Sequence, residues 1–124
     1  MSPLRIDLDF QFKKEFKNRI LTEKVCMEIV EDYVETIEAI YATTDDLTAY
    51  VMLKPKHTVK DDFIKDGIHI VFPHLILSYN EQFYIRKLIL DNATAGLLNF
   101  LNKLPVLNDI HNIVDNAIIK QNCW

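Results

Sequence analysis

Residues 5–12, RIDLDFQF, alternate without a fault: Ile6, Leu8, Phe10 and Phe12 fall on one face, Arg5, Asp7, Asp9 and Gln11 on the other. A period of two belongs to a strand with one buried face, so this segment commits the chain to a sheet. The same pattern carries a cost. Aspartate is disfavoured in strands, and Asp7 and Asp9 lie on one face only roughly 7 Å apart at the usual strand rise. Two like charges so placed repel, and a plain exposed strand gains by losing one of them. A divalent cation reverses that sign, because magnesium and manganese are hard ions that take carboxylate oxygens. An amphipathic edge strand without metal is the alternative reading. Metal-dependent glycosyltransferases, which grip a sugar diphosphate, use the same Asp-x-Asp.

A second alternation sharpens the first. In KDGIHIVF, residues 65–72, Ile68, Ile70 and Phe72 share one face while Lys65, Gly67, His69 and Val71 share the other. His69 therefore points away from the apolar layer, as Asp7 and Asp9 do. Gly67 leaves room for a ligand to approach the backbone, and Lys65 supplies positive charge for a phosphate. His57, His74 and His111 lack such a context and read as surface or half-buried residues.

The remaining elements follow from periodicity and caps. A strand is expected over 4–12. Thr22 as N-cap with Val25, Ile29, Tyr33, Ile37 and Ile40 at helical spacing predicts a helix over 22–41, its acidic stripe (Glu28, Glu31, Asp32, Glu35, Glu38) solvated. LTAYVMLK (47–54) and IHIVF (68–72) read as strands, with Asp66-Gly67 as turn chemistry before the latter. Ser78 and Glu81 form a capping box for a helix over 79–103, broken near Asp91-Asn92 and ended by Pro105. The tail from Asn108 fits short strand or helix equally. The expected fold is one α+β domain, residues 1–124, with a mostly antiparallel sheet. The two helices cover one face and the acidic site opens on the other.

Composition limits function. At 124 residues and 49 % apolar the chain can build a single core, and it has no apolar run of the ~18 residues a membrane span needs; an intracellular protein is expected. Cys26 and Cys123 read as free thiols. The net charge of −4 argues against a generic nucleic-acid coat. Local basic groups exist at Lys13, Lys14, Lys17 and Arg19, and at Lys54, Lys56, His57 and Lys60. They read either as solvated charge or as groups that track phosphates. Glycine stands only at 67 and 96, so no Gly-rich phosphate cradle is present.

Taken in order, IDLDF, KDGIHIVFP and IVDNAIIKQNCW resemble the three signature motifs of the archaeo-eukaryotic primase superfamily. The likeness is nearest to the primase domain of helicase–primases of nucleocytoplasmic large DNA viruses of the poxvirus, iridovirus and mimivirus type. The motifs correspond to Asp7 and Asp9, to Gly67 and His69, and to Val114 and Asp115. The resemblance implies that Asp7, Asp9 and Asp115 hold Mg2+ or Mn2+ and that His69 contacts the phosphates of an incoming nucleotide, with Lys65 and Lys120 as weaker candidates for the same charge. It implies primer synthesis from nucleoside triphosphates on single-stranded DNA, beside a helicase domain of superfamily 3 type, fused or separate. No membrane partner is expected, and the setting would be the host cytoplasm if the protein is viral. Relatives of this type continue past the Asn-x-Trp, so a catalytic-core fragment with an unpaired sheet edge is expected. Two other functions stay open: a metal-dependent transferase or nuclease built on the Asp-x-Asp, and an inert interaction module of a replication complex.

Overall fold

The computed structural model describes residues 1–15, 18–41, 46–91, 106–116 and 119. Its centre is a four-stranded antiparallel sheet formed by β1 (Ser2–Phe12), β2 (Tyr50–Leu53), β3 (Thr58–Val59) and β4 (Ile64–Leu77). The long strand β4 is central, with β1 on one side and β2 and the short β3 on the other. The expected α+β class and antiparallel sheet are therefore present, with strand order β1-β4-β2.

Two helices cover one face. In α1 (Glu23–Ile40) Cys26, Ile29, Tyr33 and Ile37 are buried, a stripe that packs onto the inward side chains of β1 and β4. Thr22 caps it, its Oγ1 accepting from Val25 N at 3.3 Å. The described part of α2 spans Tyr79–Asp91 and opens on the expected capping box. Ser78 N donates to Glu81 Oε1 at 3.0 Å and Glu81 N to Ser78 Oγ at 3.2 Å. The remainder of the helix expected to 103, with Pro105, lies outside the described residues, as do Lys17, Gly96, Cys123 and Lys120. No described helix is long and apolar enough to cross a membrane.

Two expectations change. β4 begins before Ile68, so Asp66 and Gly67 lie inside the strand rather than in a turn. Asp66 faces the core, 1 % exposed, because Arg19 reaches it with Nε to Oδ2 and Nη2 to Oδ1, both at 2.8 Å. Arg19 is thus a structural partner and not a solvated charge. β4 also runs on through Pro73. The β1–β4 register shifts between Pro3 and Leu4, so Phe72 and Leu75, three residues apart, both turn inward. A proline, which cannot donate to the ladder, is accommodated at such an irregularity.

The outer edge of β1 is not bare. Residues 106–115 run along it through isolated bridges from Phe12 to Val106 and from Leu8 to Val114, flanking a one-turn helix α3 (Ile110–Ile113). Between the bridges Asn108 does a strand's work with its side chain: Oδ1 accepts from Gln11 N at 3.0 Å and Nδ2 donates to Asp9 O at 2.8 Å. The expected unpaired edge is therefore not on this side. On the other side, no described strand pairs with β2, whose Tyr50, Val51 and Met52 are exposed.

Candidate functional site

Burial of Ile6, Leu8 and Phe10 turns Asp7 and Asp9 to the face away from the helices. Register then decides their neighbours: Asp7 pairs with His69, Asp9 with Gly67 and Gln11 with Lys65. Asp115 arrives along the edge of β1, where its N–H donates to Asp7 O at 3.0 Å. One carboxylate oxygen from each of Asp7, Asp9 and Asp115 lies within 4.8 Å of the other two.

Three half-buried carboxylates this close oppose one another's ionisation. Burial pushes the Asp7 carboxyl above the usual range, and the charges of Asp9 and Asp115 push it further, while His69 pulls it back. Asp9 is raised too, first by burial and then by Asp115, with Lys65, His69 and Lys54 acting against the shift. Asp7 Oδ1 is closed to solvent, with His69 Nε2 at 3.1 Å. These features fit a hard divalent cation. Oxygens on one Mg2+ bond at about 2.1 Å and so span at most about 4.2 Å, a contraction within reach of small side-chain rotations, and the cation would relieve the repulsion.

Beside the carboxylates opens a pocket of about 310 Å³ lined by Asp9, Lys54, Lys65, Gly67 and His69 among others. Sequence reading placed Lys65, Gly67 and His69 on this face but left Lys54 open between solvated charge and a group that tracks phosphates. The missing information was the β2–β4 pairing of Leu53 with Ile68, which brings the residue after Leu53 to the pocket. Arg19 Nη1 also donates to Lys54 O at 2.6 Å, fixing that wall.

Gly67 is needed here for space. A Cβ at this position would stand 3.1 Å from Leu8 O and 3.5 Å from Asp9 Oδ1. Gly67→Ala is expected to cost about 1 kcal/mol of stability through the close approach to Leu8 O and, by shifting the β1 backbone between Asp7 and Asp9, to weaken divalent-metal binding several-fold. Urea melts and metal titration of the variant check both effects, and wild-type behaviour in both would show that the space is not required.

Residues 1–124 match the family described as the C962R protein N-terminal AEP domain, AEP denoting archaeo-eukaryotic primase. The chain is also 26 % identical over 123 residues to the Acanthamoeba polyphaga mimivirus protein named as helicase L207/L206. That match covers 98 % of this chain and 13 % of the mimivirus protein. No solved structure matches. A family match across the whole chain places it: this chain belongs to the archaeo-eukaryotic primase superfamily, in the C962R-type N-terminal domain family.

Proposed function

We propose that the domain catalyses template-directed nucleotidyl transfer, making primers on single-stranded DNA from nucleoside triphosphates. The observation that carries the reading is the meeting of Asp7, Asp9 and Asp115 beside a pocket that also presents His69, Lys54 and Lys65. The three aspartates would hold Mg2+ or Mn2+, which when bound activates an attacking hydroxyl and stabilises a leaving pyrophosphate. Phosphoryl transfer depends mainly on positioning and charge. Lys54 and Lys65 neutralise the triphosphate from one side of the pocket, and His69 donates to a phosphate oxygen once its pairing with Asp7 loosens. Lys120, outside the described residues, is a further candidate for the same charge. In a longer protein of the mimivirus kind, a helicase partner would deliver single-stranded template, at the site of viral DNA replication.

Nucleotide binding tests the reading directly. A nucleoside triphosphate should bind the chain only with Mn2+ or Mg2+ present. His69→Ala should weaken it about ten-fold, the worth of one charge-assisted hydrogen bond, with the melting temperature nearly unchanged. A drop of several degrees at unaltered affinity would assign His69 to structure instead. Displacement by UDP-sugars but not by other nucleoside triphosphates would favour a sugar-nucleotide transferase.

A further inference from the structure

Of the three clustered carboxylates, Asp115 has the least regular structure behind it. It follows a single helical turn, α3, and a lone bridge at Val114, yet it must face two other half-buried acids. Its support comes from α2. Arg86 donates from Nε to Val114 O at 3.1 Å, and from Nη2 to Val114 O at 2.9 Å and His111 O at 3.2 Å.

The carbonyl of Val114 and the N–H of Asp115 belong to one planar peptide unit. Its oxygen is held by Arg86 and its nitrogen donates to Asp7 O at 3.0 Å. Two points at opposite ends of a rigid plane fix its tilt, and the Asp115 side chain departs from that plane's edge. The same guanidinium, through His111 O, holds the end of α3 where main-chain carbonyls lack helical partners. We infer that Arg86 is a positioning residue for the metal centre, setting the peptide plane from which Asp115 reaches Asp7 and Asp9. The inference rests on the metal role proposed above for these aspartates.

Charge alone predicts the opposite of positioning, and this makes the inference testable. A guanidinium near a cation site opposes cation binding, so its removal would tighten Mn2+ binding if charge were all it contributed. Partners that orient metal ligands are worth about ten-fold or more in metal affinity. Arg86→Met is therefore expected to weaken Mn2+ binding to the 124-residue chain about ten-fold by calorimetry. Arg86→Lys should recover part of this at most, since an ammonium cannot reproduce the planar fork. In an Asp115→Asn background the Arg86→Met change should cost less than about two-fold, because its route of action is already gone. Unchanged or tighter Mn2+ binding by a folded Arg86→Met chain overturns the inference, as does a full ten-fold loss that persists in the Asp115→Asn background. Should Arg86→Met fail to fold, Arg86→Lys decides: weakened binding at equal charge supports positioning, and wild-type affinity refutes it. Wild-type Mn2+ binding by both Asp7→Asn and Asp115→Asn would instead show that the metal reading itself is wrong, and the role of Arg86 would fall with it.

Discussion

Asp7→Asn is expected to lower Mn2+ affinity on the order of a hundred-fold, by removing a full ligand charge from the cluster, and at the same time to raise the melting temperature of the metal-free protein. The two effects share a cause. Asp7 is pushed above the ordinary carboxylate range by burial and by Asp9 and Asp115, so the folded chain holds that proton more tightly than the unfolded chain does. A group of this kind is most favourable to folding below its unfolded value, and the advantage is lost as pH rises through the raised folded value. At neutral pH the ionised Asp7 therefore costs stability, and asparagine removes the cost. Relief of one such like-charge contact is worth up to about 1 kcal/mol, or roughly 4 °C in a domain of this size. Metal-free melts of the two proteins across pH check the sign: the advantage of asparagine should be largest near neutrality and shrink as acid protonates Asp7. A variant that melts no higher and still binds Mn2+ like the wild type would remove Asp7 from the site.

Much of this arrangement is legible in the sequence, and the exceptions have physical reasons. Alternation in RIDLDFQF and KDGIHIVF assigns the side chains of residues 5–12 in β1 and of most of residues 65–72 in β4 to a face, because a sheet buried on one side leaves a period-two record. Asp9 and Gly67 fall on the same face, but their pairing depends on register. Asp115 leaves no such record. It is placed by single bridges, a one-turn helix, the side chain of Asn108 and the guanidinium of Arg86, none of which repeats along the chain. The order of the three motifs was the signal that pointed to it. Asp66-Gly67 looked like a turn because Asp-Gly is a strong local turn pair. A long-range partner, Arg19, overrides that preference by making a buried aspartate tolerable inside a strand.

That override implies the largest loss of stability expected for a single substitution. Asp66 has no exposed side-chain surface, and Arg19 meets both of its oxygens. The hydrogen bonds to Asp66 raise the guanidinium's own proton affinity. Replacing both partners by apolar residues can be nearly neutral, whereas removing one leaves a buried charge uncompensated, at about 3–5 kcal/mol. Arg19→Met should therefore bring the domain close to unfolding, given typical stabilities of about 5–15 kcal/mol. Asp66→Leu added to it should restore most of the loss. The consequence reaches the pocket as well, because Arg19 also holds Lys54 O: the restored double variant should fold well yet bind nucleoside triphosphate more weakly than the wild type. Urea melts of the single and double variants, followed by triphosphate titration of the double, separate the two roles. A folded Arg19→Met within about 1 kcal/mol of the wild type would mean that water, not Arg19, satisfies Asp66.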